Sequence, residues 1–428
     1  MATSLLSTKV ILVGAGPVGL FAALRLAQAG ITVDVFERQA ALSNAPRAAG
    51  YYGGTIVALA RAGLLEKAVE KGFISTGLCW RKPVADDGKG GKRLGDVVAR
   101  IHFPPGEPDS IVARTPALTL PQSKLAKLFF DEARATGLVT VHFNMELNAI
   151  NDDGDFVEAV FTRVDTGEQE THQAGYLVGA DGGKSTTRKL LGIPFKGHSW
   201  PERLVAIDCV FETPQTMEPD LPTSFIIHPV HFGIILPLEP FAPGKRSAYR
   251  CALAIDPQDP RSDEELVSKE SLSELLDKML PGPRPNNVEV LKAAPYRIHQ
   301  LCASTFRRGR SLLAGDAAHL NNPFGAMGLS GGLLDAEALA DTLDLVINEG
   351  KPSSLLDTYS YERQRVFQIF TNPVSTINKL RCQANPDRAN EDWLINTLNT
   401  NPAALREYGR HFYDTWRTDM KCLAAALP

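Results

Sequence analysis

Asp316 is the residue from which a chemistry can be built. It stands in Leu312-Leu-Ala-Gly-Asp-Ala-Ala-His319, at the end of a short apolar run from Ser311 to Ala314. A loop with Pro323, Gly325, Gly328 and Leu329 follows, and a helix carrying Asp335-Ala-Glu337 is expected to open near Ser330. A carboxylate at a strand end accepts from sugar-type hydroxyls. The glycines bare the backbone, and a helix start offers N–H groups and the positive end of a dipole to an electron-rich oxygen. The pattern suits a ligand with hydroxyls and a flat polar ring. Alone it specifies a ligand loop and nothing narrower.

The amino terminus narrows it. Lys9-Val-Ile-Leu-Val13 has the composition of a buried strand and runs directly into Gly14-Ala-Gly-Pro-Val-Gly19, after which Leu20 to Ala29 reads as an apolar helix. Thr32 to Phe36 is a second strand, and Glu37 follows it 18 residues past Gly19. Strand, glycines, helix, strand and acid come in the order a dinucleotide fold requires. Gly14 makes the tight turn, Gly16 lets the backbone approach a pyrophosphate, and Gly19 lets helix and strand close. Glu37 accepts from the adenosine ribose. The bland alternative is an ordinary strand-to-helix turn. Two such elements at opposite ends of the chain favour one long ligand crossing the domain, FAD rather than NAD.

A third element, Tyr176-Leu-Val-Gly-Ala-Asp-Gly-Gly-Lys-Ser-Thr-Thr-Arg188, is another strand ending in a turn and a basic helix start. With Gly14, Gly16, Gly19 and Glu37-Arg38, with Asp181-Gly182 and Arg188, and with Gly315-Asp316-Ala-Ala-His319, Pro323, Gly325, Gly328 and Leu329, the sequence resembles the para-hydroxybenzoate hydroxylase family of single-component FAD-dependent aromatic monooxygenases. The resemblance covers nearly the whole chain except its last 60 or so residues. It implies that Arg47 lies over the flavin and that Gln122 touches the cofactor. It also implies that NADPH or NADH binds transiently and reduces the flavin, and that a flavin C4a-hydroperoxide then passes oxygen to an electron-rich aromatic carbon. No second GxGxxG follows a strand, which fits a donor lying along a groove. Lys184, Arg188 and Arg297 are placed to meet its phosphates, against the alternative of ordinary surface charges. The FAD is expected to be noncovalent, His319 being the nearest group that could form a link. Ser330 replaces the asparagine that often closes the family's glycine loop, and a serine can cap the helix instead.

These motifs must be held by an α/β fold: a Rossmann-like FAD-binding domain interleaved with a β-sheet-rich substrate domain, plus a helical C-terminal tail. The cofactor domain is expected over 1–73, 114–197 and 298–350, and the substrate domain over 74–113 and 198–297. The tail covers 351–428, reaches Leu427, and is broken by Pro373, Pro386 and Pro402. Leu59 to Lys71 and Asp263 to Met279 read as single helices, and Asp155 to Arg163 with Gln169 to Ala174 as a hairpin. The substrate domain's sheet should roof the flavin. Its strand pair Ser224 to Leu236 is mostly apolar, with no arginine to clamp a carboxylate. That composition favours a fairly hydrophobic aromatic, larger than a simple benzoate, such as a polyketide- or prenyl-phenol-type compound. His228 is the titratable group there that could deprotonate a phenol near neutral pH, against the alternative of a turn histidine before Pro229. Tyr51, Trp80, Ile226, Tyr249 and Arg250 are further candidates for the substrate site.

Composition sets the outer limits. The chain has 428 residues, 44% of them hydrophobic and 22% charged, with a formal net charge of −4. Such a balance gives no reason to expect nucleic acid as a partner. Six scattered cysteines with no CxxC pair suit reduced thiols, no metal site and a cytoplasmic location. No apolar run is long enough to span a membrane. Aromatic hydroxylation with NAD(P)H and O2 is the leading expectation. Oxidative decarboxylation or dearomatisation by the same intermediate is the nearest alternative. A regulatory protein that binds flavin without turnover is a rival of another class, marked by NAD(P)H oxidation that no aromatic compound accelerates.

Overall fold

The computed structural model describes residues 9–103, 111–401 and 403–426. Val10–Val13 lies inside a six-stranded sheet with the order Val139–His142, Val33–Phe36, Val10–Val13, Tyr176–Gly179, Ser311–Leu313, Arg307–Arg308. Every neighbouring pair is parallel except the last. Val10, Leu12, Val33 and Val35 pack with the helices on one face, while Ile11, Val13, Phe36 and Leu177 pack on the other against Leu147, Val157 and Phe161. These last belong to an antiparallel sheet of Met145–Asp152, Val157–Arg163 and Gln169–Ala174, which contains the expected hairpin. Burial on both faces explains why the central strands read as unbroken apolar runs.

The register places Val13 beside Phe36 and Gly179, and Gly179 beside Leu313. Four strands therefore end along one edge. Gly14, Glu37, Asp181 and Asp316, scattered over the sequence, are delivered to that edge, where open parallel sheets bind their ligands.

An eight-stranded sheet draws on Gly77–Arg81 and Val97–His102 from one segment and on strands between Phe195 and Leu320 from another. Its frame is the pairing of Phe195–Glu212 with Glu289–Ala303. One face packs on the Lys269–Met279 helix through Leu272, Leu275 and Leu276. The other turns toward the cofactor edge.

Three element expectations need correction. Leu59 to Lys71 is not one helix but the end of Gly54–Arg61 followed by Leu65–Lys71, divided at Gly63, whose φ of 70° suits a left-handed turn. Asp263 to Met279 likewise divides into Asp263–Leu266, closed by a Ser262/Glu265 capping box, and Lys269–Met279. Pro373 does not break the tail. It sits in the first turn of Asn372–Cys382, directly after a π-turn at Phe367–Thr371 that continues Leu355–Val366. A proline ring collides with the carbonyl four residues back, and here that carbonyl lies within the wider π-turn. Pro386 opens a short 3₁₀ turn, while Pro402 and Leu427 lie outside the described residues.

Candidate active site

A single cavity of about 1480 Å³ runs from the cofactor edge to the face of the eight-stranded sheet. Its cofactor end is built from backbone as much as from side chains. Gly14 has φ +105°, and a Cβ there would stand 2.5 Å from the Ala180 carbonyl oxygen. A Cβ on Gly19 would lie 2.1 Å from the Gly14 carbonyl oxygen, so this glycine serves helix-to-strand contact and does not line the cavity. Around Gly16 no protein atom comes within 4 Å of that position, and the space opens into the cavity. This is the cradle a pyrophosphate needs at a helix N-terminus. Glu37 is fixed toward it, accepting from the backbone N–H of Ala15 at 2.8 Å and of Gln39 at 2.8 Å. Arg38 lines the same end and pairs with Glu146 at 3.3 Å.

Asp316, Pro323, Gly325, Gly328, Leu329, Gln122 and Arg47 line the middle of the cavity. Asp316 is exposed to the cavity; the protein packed around it raises its carboxyl above the usual range, and the charges of His319 and Arg47 offset that in part. Asp181 also lines the cavity, but its oxygens are spent on Ser185 at 2.6 Å and on the Thr187 backbone at 2.9 Å, shaping the turn. Arg250 is fixed by a bidentate pair with Asp208, 2.7 Å on each arm, and donates to the Arg47 carbonyl. It thus holds the 46–48 loop over the cofactor end. Such a planar fork is a geometry that lysine cannot reproduce.

The sheet face supplies the apolar end. Thr223 and Phe225, Ile234 and Leu236, Arg250 and Ala252, Leu78 and Trp80 point into the cavity, as the two-residue period of strands dictates. The same period turns Ile226 and Tyr249 into the opposite core with Phe211 and Leu276. Neither lines the cavity, and Tyr249 hydrogen-bonds Thr213 at 2.7 Å. His228 does not reach it either. The strand stops at Ile226, and the His228 Nδ1 accepts from the backbone N–H groups of Val230 and His231 at 3.0 and 2.8 Å. Burial first, then the neighbouring charges of His231 and Lys278, lower its pKa. It is a turn histidine, and the base assigned to it from sequence is withdrawn. Tyr51 does line the cavity, with a buried hydroxyl that has no hydrogen-bond partner and a pKa raised by burial.

Two other expectations change. Arg188 is buried, donates to the carbonyls of Ala317 at 2.8 Å and Gly183 at 2.9 Å, and lies 3.7 Å from the Phe195 ring centroid. It braces the turn and has no face left for a phosphate. Lys184 and Arg297 are exposed on the cavity rim. Ser330 is not the helix cap. Met327–Ile347 begins a turn earlier, after Ala326 with φ 53°, and the Ser330 hydroxyl is buried without a partner.

Sequence reasoning missed the tail's part in the site. Asn378, Cys382, Leu394, Leu398, Phe412 and Tyr413 all line the cavity. A buried polar network ties other parts of the tail to the strand end that carries Asp316. Asp335 accepts from the Gly315 N–H at 3.0 Å, meets His319 at 2.7 Å and pairs with Arg363 at 2.7 Å. Arg363 goes on to the carbonyl of Trp416 at 2.8 Å and the hydroxyl of Thr418 at 3.1 Å. Burial alone would raise the Asp335 carboxyl, but His319 and Arg363 outweigh it and hold the pKa down at about 2. His319 thereby serves structure, stacked on Phe367 at 4.6 Å.

A mostly parallel sheet with an open cradle at Gly16, a glycine loop and an apolar-walled cavity beside it fit a flavoprotein whose substrate sits next to the cofactor. Residues 7–372 match the FAD binding domain family, and the chain belongs to it. Para-nitrophenol 4-monooxygenase of Pseudomonas sp. (strain WBC-3) is 33% identical over 93% of this chain and 94% of its own length. 6-Hydroxy-3-succinoylpyridine 3-monooxygenase HspB of Pseudomonas putida (strain DSM 28022 / S16) is 29% identical over 91% and 93%. The crystal structure of p-nitrophenol 4-monooxygenase PnpA from Pseudomonas putida DLL-E4 superposes with a TM-score of 0.83 at 32% identity, covering 94% of this chain and 96% of that one. The chain is accordingly an FAD-dependent monooxygenase that uses NAD(P)H and O2 on an aromatic substrate. Among the described residues no helix is long and apolar enough to cross a membrane, and no acidic, histidine or cysteine cluster could hold a metal.

Proposed function

We propose that this enzyme oxygenates a phenol whose para substituent withdraws electrons, so that the substrate enters the cavity already ionised. The wall made by Leu78, Trp80, Phe225, Ile234, Leu236 and Ala252 carries this reading, because among the described residues it holds no imidazole or carboxylate to take a phenolic proton. His102 lines the cavity only as an exposed, solvent-facing side chain paired to Asp220 at 3.4 Å, and the His299 Nδ1 is engaged with Ser199 at 2.8 Å. Burial raises the thiol of Cys382 to about 12, which unsuits it as a base. An unsubstituted phenol ionises near pH 10 and would arrive protonated, whereas one with an acidifying substituent would not. The relatives named for para-nitrophenol support this choice.

FAD supplies the redox and oxygen-activating chemistry when bound. Gly16, Glu37, Arg47, Gln122, Asp316 and the 323–329 loop would hold it, with Arg250 keeping the 46–48 segment in place. Lys184 and Arg297 at the rim would meet the NAD(P)H phosphates, and the cytoplasm would supply that donor. The apolar wall and the tail helices exclude water from the ring being attacked. A series of para-substituted phenols, compared by kcat/KM over the neutral to alkaline range, tests the reading. Each profile should rise with the substrate's own ionisation and level off above it. One shared pKa for every phenol, whatever its acidity, would show that the protein supplies the base.

A further inference from the structure

We propose that Asn378 is a specificity-determining residue, which donates its side-chain amide N–H to an acceptor oxygen of the aromatic substrate, either the phenolate or an oxygen of the para substituent. This rests on the cavity being the aromatic site. Asn378 lines the cavity from the Asn372–Cys382 helix. Its Oδ1 accepts from Arg381 Nη1 at 2.6 Å. A guanidinium has only donors, so the amide cannot be turned over without setting donor against donor. The amide NH2 therefore faces away from Arg381. It comes 2.6 Å from where a Cβ on Gly325 would stand, beside the glycine loop.

Arg381 cannot swing aside to release it. Its side chain is 1% exposed and its Nε is bound to Asp392 Oδ1 at 2.7 Å. That same oxygen caps the Trp393–Thr400 helix through the backbone N–H groups of Leu394 and Ile395, each at 3.0 Å. Leu394 and Leu398 on this helix line the cavity, and the Arg381 guanidinium lies 5.8 Å from the ring of Trp80. The order Asp392, Arg381, Asn378 thus fixes one donor beside the glycine loop, in the cavity that the apolar wall also lines. Gly325 has φ +103° and presents no side chain that could occupy the place. Arg381 is the positioning residue of the pair.

The test uses the FAD-loaded enzyme and the change in flavin absorbance on ligand binding. Three ligands separate the two oxygens: 4-nitrophenol, 4-isopropylphenol without the nitro oxygens, and nitrobenzene without the hydroxyl. Asn378→Leu keeps the volume and removes the donor. It should weaken 4-nitrophenol roughly tenfold or more. Of the other two ligands, only the one that retains the recognised oxygen should weaken with it. Arg381→Met, which frees the amide to turn, should reproduce part of that selective loss. Equal weakening of all three ligands, or of none, would overturn the proposal, as would a fall in FAD affinity that accounts for the loss. Wild-type enzyme that binds none of the three would remove the aromatic reading of the cavity, and this proposal with it.

Discussion

Gly16→Ala and Gly19→Ala should separate what the first turn does for the fold from what it does for the cofactor. A Cβ at Gly19 falls 2.1 Å from the Gly14 carbonyl oxygen and 2.7 Å from the Leu12 side chain, well inside van der Waals contact. The helix must retreat from the strand. Overpacking of this kind costs about 1–3 kcal/mol, and it should lower the thermal midpoint of the apoprotein. At Gly16 the backbone is extended, with φ −70° and ψ 171°, and no protein atom lies within 4 Å of the added methyl. Alanine is unstrained there and restricts the unfolded chain, so the apoprotein should be as stable as wild type or slightly more so. The methyl would instead stand in the place proposed for the pyrophosphate. Losing close N–H contacts to a charged group costs about 1.5–3 kcal/mol, or roughly ten- to a hundredfold in affinity. Fluorescence quenching of FAD on titration with apoprotein gives the affinity, and a thermal scan gives the stability. Gly16→Ala with unchanged FAD affinity would refute the placement of the cofactor, whatever happened at Gly19.

Asp335 makes an acid-side prediction. Its folded pKa of about 2 lies below the ordinary carboxyl value of 3.8. The stability it contributes is therefore complete above about pH 4 and is lost as the pH falls toward about 2, on the order of 2 kcal/mol in all. Asp335→Asn should be less stable near neutrality and lose less than wild type across that window; parallel curves would sink the assignment. For the electron donor, Lys184→Ala and Arg297→Ala should each raise the KM for NAD(P)H with little change in thermal stability. Arg188→Ala should do the reverse, because its guanidinium holds two carbonyls inside the protein. A raised KM with Arg188→Ala and an unaltered thermal midpoint would return that residue to the donor site.

The cofactor end was legible because its residues are demanded by backbone geometry. Gly14, Gly19 and Gly325 stand where a side chain would collide or where φ is positive, and such positions leave a mark in the sequence. The substrate end left none. The strands at Thr223–Ile226 and Arg246–Ile255 have one face in the cavity wall and the other in the core with the Lys269–Met279 helix. Apolar residues stand on both faces, so no clean alternation tells Phe225 from Ile226. His228 looked suitable only while its strand was carried two residues past Ile226. The tail was harder still. Asn378 and Leu398 enter the cavity by tertiary packing, through the buried link of Arg381 to Asp392, which no local pattern announces. The π-turn before Pro373 hid the continuity of the helix that carries Asn378.

As a monooxygenase, the enzyme should pass one atom of O2 to an aromatic ring at the expense of NAD(P)H. Turnover of the FAD-loaded enzyme with a para-substituted phenol under ¹⁸O2, read by mass spectrometry of the product, tests it most directly. The phenol should stimulate NAD(P)H consumption, and the product should carry one ¹⁸O atom on the ring. Stimulated consumption that ends wholly in hydrogen peroxide, or a product whose new oxygen comes from water, would contradict it.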